Sequence, residues 1–188
     1  MQGMKRNFGF TLIELMVVMA IAAILLSLAA PSLSGLVRSS SMSNAVNTFM
    51  ADARFARSSA VSLGGAVIMC RSDNPSAATP TCGTGPGTGG NGWVSGWIIF
   101  QDLDGNGNHN ATDPLLRVQG PLTSVNSIGN SSTKLEFTGT GRLKSLSSGT
   151  MTLQFGSAPN FPNDAQRVVC VSLGGRVRIA GNGNSSCS

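Results

Sequence analysis

Apolar positions divide the chain into three stretches. From Phe10 to Ala30 they run almost without a break, with Glu14 as the one charge among them. At about 1.5 Å per helical residue, this run matches a hydrocarbon core of roughly 30 Å and predicts a membrane-embedded helix. An unpartnered carboxylate is costly in hydrocarbon, so Glu14 predicts a partner that this chain does not itself supply. Next, Val37, Ser41, Ala45, Phe49, Ala53, Ala56 and Ala60 recur at three- and four-residue steps, with Arg38, Arg54 and Arg57 off the stripe. That spacing is one face of an amphipathic helix, and Gly64-Gly65 ends it in the usual way. One helix from about Phe10 to about Leu63 is expected, its first half in the membrane and its second half packed on a soluble domain.

Beyond Gly65 the period changes to short apolar runs between turn residues. Ala66–Cys70, Trp97–Phe100 and Leu115–Val118 read as strands, and Ser72–Gly92 as a Pro/Gly/Thr-rich loop. Lys134–Phe137 and Met151–Phe155 alternate as half-buried strands do. Arg167–Ser172, Leu-Gly-Gly and Arg176–Ile179 read as a hairpin with a glycine turn. Antiparallel sheet against one long helix is an α+β arrangement. No solenoid repeat is visible.

Composition refines this picture. The 188 residues are 41% hydrophobic and 11% charged, with 24 glycines, which fits short strands joined by many turns. The formal charge of +5 is mild, and Lys5 and Arg6 supply part of it; it permits an anionic partner without demonstrating one. The four cysteines form two local pairs, Cys70 with Cys82 and Cys170 with Cys187. An even count behind a membrane segment points to disulfides in an oxidising compartment. Three connectivities are open. The local one is expected because each bridge closes a Gly-rich loop, contributing about 3 kcal/mol by loop entropy. The spacings do not suit paired zinc knuckles.

The start of the chain carries a more specific signal. In a conventional secretory signal the cleavage site follows the apolar core; here Gly9 precedes it, directly after the basic leader. Gly9-Phe10-Thr11-Leu12-Ile13-Glu14-Leu15 resembles the processing site of type IV pilins and type II secretion pseudopilins. The resemblance implies cleavage after Gly9 by prepilin peptidase and N-methylation of Phe10. It implies that Glu14 pairs with the N-terminal amine of a neighbouring subunit during assembly, with other major and minor pilins as partners through the N-terminal helix. Pro31 stands where pilins often carry a helix-breaking proline. Residues 1–9 are then a leader, 10–30 a transmembrane and assembly helix, 31–63 its amphipathic continuation, and 64–188 an antiparallel β domain. The expected location is the bacterial inner membrane, single-pass with a periplasmic C-terminal domain, and later an extracellular pilus.

Later motifs narrow the resemblance. Gly96-Trp-Ile-Ile-Phe-Gln-Asp102-Leu-Asp-Gly-Asn-Gly, Phe137-Thr-Gly-Thr-Gly-Arg142, and the C-terminal Val-Cys-Val-Ser followed by Gly175-Arg176-Val177-Arg178 resemble the FimT/GspH family of minor pilins and pseudopilins over essentially the whole chain. In a strand Arg176 and Arg178 share a face, with guanidiniums about 7 Å apart, a spacing similar to that of adjacent phosphates on one nucleic-acid strand. The Gly-Arg-x-Arg motif resembles the DNA-contacting motif of FimT-type minor pilins, which implies binding of double-stranded DNA in natural transformation. Two solvated arginines on a sheet edge are the bland alternative. Arg142, Lys144 and Arg167 are candidates to extend the basic patch. No aromatic residue is interleaved with these charges, so contact would be with the phosphate backbone rather than by base stacking. A GspH-like pseudopilin of type II secretion, contacting protein cargo, is the alternative function.

Asp102-x-Asp104-x-Asn106-Gly107-Asn108-x-Asn110-x-x-Asp113 matches the oxygen-ligand spacing of an EF-hand calcium loop. Its last position is Asp rather than Glu, and Pro114 opens a strand where a helix should follow. The same residues favour turns for backbone reasons alone, so calcium is a candidate and a plain turn the competing reading; no other cofactor is expected. His109 is the only histidine, Trp93 and Trp97 read as packing residues, and there is no Gly-x-x-x-x-Gly-Lys phosphate loop. The three aspartates sit in one turn without an evident pocket, so no enzyme is expected.

Overall fold

The computed structural model describes residues 10–129, 132–146 and 149–187, and within these the side chains of 27–33 and 88 lie outside the description. Gly9 and the rest of the leader are also outside it. The helix α1 runs Leu12–Leu63, and the chain divides into two compact units, Met1–Val37 and Arg38–Ser188.

In the first unit, Thr11 caps the helix: its hydroxyl accepts the Glu14 backbone N–H at 3.3 Å. Thr11-Leu12-Ile13-Glu14 is a capping-box sequence, and an acid in the first turn also complements the helix dipole. The Glu14 backbone N–H is thereby satisfied within the first turn. Phe10, Leu12, Ile13, Leu15, Met16 and their apolar successors to Leu26 are largely exposed. No helix among the described residues is long and apolar enough to cross a membrane.

The second unit joins the C-terminal part of α1 to two four-stranded antiparallel sheets. Strands β1 (Val67–Arg71), β2 (Trp97–Gln101), β3 (Leu115–Gln119) and β5 (Lys134–Phe137) form the first sheet in the order β3-β2-β1-β5. Strands β4 (Ile128–Gly129), β6 (Thr150–Phe155), β7 (Arg167–Ser172) and β8 (Val177–Gly181) form the second in the order β4-β6-β7-β8. The expected β domain thus contains two sheets, and β4 is a strand that the sequence pattern did not suggest.

Phe49 of α1 holds both sheets. Its ring meets Trp97 of β2 at 5.5 Å, Phe155 of β6 at 5.7 Å and Trp93 at 5.4 Å, all edge to face, the preferred geometry for aromatic pairs. Ala45, Ala53, Ala56 and Ala60 are fully buried beside it, as the stripe predicted. Val37, at the start of the stripe, is instead exposed, and Met42, Val46 and Met50 are buried. The buried face is wider than one spine because it meets two sheets. Asp52 fixes the helix on the first sheet: Trp97 Nε1 donates to it at 2.8 Å and Arg117 Nη1 at 2.6 Å, while the Arg117 guanidinium lies 3.9 Å over the Phe55 ring.

Both disulfides join the local pairs, Cys70–Cys82 and Cys170–Cys187. The first closes the Gly-rich loop over the outer face of the first sheet, where Ile68, Ile98 and Phe100 are buried with it. That loop also encloses the buried Arg71 guanidinium, which pairs with Asp73 and donates to the Thr84 carbonyl.

Candidate nucleic-acid interface

Strand register decides where the C-terminal arginines point. Cys170 of β7 pairs with Arg178 of β8, and Val171 with Val177. Val171 and Val177 belong to the core. Arg176 and Arg178, on either side of Val177, are exposed on the opposite, outer face of the second sheet. The Cys170–Cys187 bridge anchors the C-terminal tail on that face, beside Arg178 in register.

The turn that delivers Arg176 is locked from below. Gly175 N–H donates to the Ser172 carbonyl at 2.8 Å, and Ser172 N–H to the Arg176 carbonyl at 3.0 Å. Gly175 has φ +74°, a left-handed conformation that favours glycine. A Cβ there would also strike the Gly141 carbonyl oxygen and sit 3.1 Å from Arg57 Nε. That carbonyl accepts the Arg57 Nε–H at 2.9 Å, and Leu143 N–H donates to the Leu173 carbonyl at 2.9 Å. Three segments therefore meet at one point: Arg57 on α1, the Gly141 turn and the Gly175 turn. The glycine of Gly-Arg-Val-Arg is needed for this close approach of two backbones.

The further basic candidates separate. Arg142 is exposed and follows Gly141, so the backbone contact brings it to the turn that carries Arg176. Lys144 pairs with Glu136 at 3.4 Å, beside the Lys134–Glu136 pair at 2.9 Å, which commits it to the first sheet. Arg167 donates to the carbonyls of Asp164 and Gln166 at 2.9 and 2.7 Å. It starts β7 opposite Phe155, at the far end from the turn and on the face shared with core residues Val169 and Val171. Lys144 and Arg167 thus do not extend the Arg176–Arg178 face. Arg57 was missed as a member of this constellation. Its position off the apolar stripe was visible in the sequence, but its partners lie more than eighty residues away and carry no local signal.

The Asp/Asn loop brings Asp102, Asp104 and Asp113 together, each with an oxygen within 4.8 Å of the others. Asp102 and Asp113 are buried. Asp102 accepts the N–H groups of Gly105 and Gly107 at 3.0 and 3.1 Å, and Asp113 those of Leu103 and Asn110 at 3.0 and 3.1 Å. Asp104 accepts from Asn106 N–H at 3.1 Å and from the Asn110 side chain at 2.9 Å. The Asn106 backbone N–H, foremost, holds the Asp104 carboxyl below its ordinary value of 3.8, against the opposing effect of desolvation. Lys134 Nζ reaches the Gly107 carbonyl at 3.2 Å. The oxygen set has calcium-loop spacing, and backbone donors already serve both carboxylate oxygens of Asp102 and of Asp113. His109 packs its ring on Phe100 at 5.2 Å and places Nδ1 2.7 Å from the Pro80 carbonyl oxygen, a structural position.

A capped apolar N-terminal helix, a helix segment buried on antiparallel sheet, and disulfide-closed loops together define a pilin-type filament subunit. Residues 4–30 match the prokaryotic N-terminal methylation motif. Residues 45–175 match the family described as type II transport protein GspH, and the chain belongs to that family. It is a structural subunit, a minor type IV pilin or pseudopilin, and not an enzyme. Two crystal forms of the type IV minor pilin FimU of Pseudomonas aeruginosa (strain PAO1) share the fold. One gives a TM-score of 0.55 at 21% identity over 77% of this chain and 93% of that one. The other gives 0.52 at 21% identity over 76% and 98%. No curated protein matches the chain.

Proposed function

We propose that this chain is a minor type IV pilin that binds double-stranded DNA through Gly175–Arg178 and serves DNA uptake in natural transformation. In this reading prepilin peptidase cuts after Gly9, Phe10 is methylated, and the subunit waits in the inner membrane with its C-terminal domain in the periplasm. Glu14 then pairs with the terminal amine of a neighbouring pilin as the subunit enters the pilus. The observation that carries the DNA reading is the alternation along β8: Val177 enters the core while Arg176 and Arg178 stand exposed on one face. Planar guanidiniums at this spacing suit successive phosphates, and such binding is salt-sensitive and independent of base sequence. The test is Arg176→Gln with Arg178→Gln in the organism. Transformation should fall while piliation persists; unchanged transformation with intact pili rejects the DNA role.

A second reading, a pseudopilin of type II secretion contacting protein cargo, is favoured by the family match, which ends at Gly175 before either arginine. In that case the same double variant leaves DNA handling unaltered, and deletion of the chain impairs secretion.

A further inference from the structure

Resting on the DNA reading above, we propose that Arg57 is a third DNA-contacting arginine, which seats a backbone phosphate from the helix side of the Gly175 turn. Arg57 is half-buried, with Nε donating to the Gly141 carbonyl at 2.9 Å. Its Nε and Cδ would lie 3.1 and 3.2 Å from a Cβ on Gly175, the residue before Arg176. Among the described residues its two terminal nitrogens have no hydrogen bond, and no carboxylate pairs with it. Of the other cations withdrawn from water, Arg71 has Asp73, Lys134 has Glu136, and Arg167 has the carbonyls of Asp164 and Gln166.

A cation removed from much of its water and given no acid is a favourable seat for an anion. The Nε bond fixes the plane of the guanidinium and leaves the four N–H donors of the terminal fork for a ligand. Arg176 and Arg142 flank the same junction, because the Gly175 and Gly141 backbones touch there. The phosphate backbone of a duplex presents several anions in a row, so helix, turn and strand would each hold one. Because Arg57 is already fixed, its contact loses less side-chain freedom than those of exposed arginines.

Arg57→Gln separates contact from support. Gln Nε2 occupies the position of Arg Nε and still donates to the Gly141 carbonyl, while the fork and its charge are gone. The full chain in detergent micelles is titrated with short duplex DNA at several salt concentrations. Arg57→Gln should weaken binding and reduce the slope of log affinity against log salt by about 0.9, one phosphate contact. Wild-type affinity and slope in Arg57→Gln, alongside a loss in Arg176→Gln, overturn the proposal while leaving the DNA reading intact. No loss in either variant overturns the DNA reading itself. Should Arg57→Gln fold poorly, the Arg57 side-chain N–H resonances of the unaltered chain decide. They should shift in step with those of Arg176 as DNA is added, and fixed Arg57 resonances during an Arg176 shift overturn the contact.

Discussion

The Asp/Asn loop and the Gly175 turn are both glycine-rich, both charged and both built on positive-φ glycines, yet they use charge in opposite ways. Asp102 and Asp113 turn inward and spend their oxygens on the loop's own backbone N–H groups. The Gly175 turn is held by the close approach of the Gly175 and Gly141 backbones and by Arg57 Nε on the Gly141 carbonyl, and it leaves Arg176 and Arg178 exposed. A turn whose charges satisfy its own backbone needs no partner to explain them. A turn held by backbone contact keeps Arg176 and Arg178 at the surface, where an anionic partner can meet them.

This contrast makes ordered predictions. Gly175→Ala should have the largest effect, because its Cβ meets backbone rather than a side chain that can move aside. A loss of about 3 kcal/mol is expected, read as a lower midpoint in thermal or denaturant unfolding, together with loss of DNA binding. Asp102→Ala leaves the Gly105 and Gly107 N–H groups without their acceptor. It should cost about 2 kcal/mol with DNA affinity unchanged; a matching loss of affinity would merge the two regions that the structure separates. Arg176→Gln with Arg178→Gln should do the reverse, with stability within about 0.5 kcal/mol of the parent and a clear loss of affinity.

The smallest effect concerns pH. The Asp104 carboxyl is depressed in the fold relative to its ordinary 3.8. Its contribution is therefore present above that value and is lost as pH falls through the lower folded value. Asp104→Asn should lower stability slightly at neutral pH and flatten the acid limb of the profile below about pH 4, so that the two proteins converge at low pH. An unaltered acid limb would show that Asp104 adds nothing to the loop.

Much of this was legible in the sequence because the signals are local. Seven strands follow from period-two alternation or apolar runs between turn residues, and Ala45, Phe49, Ala53, Ala56 and Ala60 from helical spacing. Ile128–Gly129 is too short to carry a period, so β4 was not. Residue spacing also brought together Asp102, Asp104 and Asp113, whose loop is closed by contacts within twelve residues. The basic face was only half legible. Alternation puts Arg176 and Arg178 together, but the sequence cannot show that Lys144 is taken by Glu136, that Arg167 begins a strand on the other face, or that Arg57 reaches Gly141 across the fold. Asp52 was missed for the same reason, its partners Trp97 and Arg117 lying on two strands far along the chain.

The central claim is that the outer face of β8 holds a nucleic-acid backbone. The most direct measurement is binding of short duplex DNA to the full chain and to its Arg176→Gln, Arg178→Gln double variant across a salt series. The account predicts sequence-independent binding that weakens with salt, and a slope reduced by about 1.8 in the double variant, two phosphate contacts at about 0.9 each. Equal affinity and equal slope in the two proteins would contradict it.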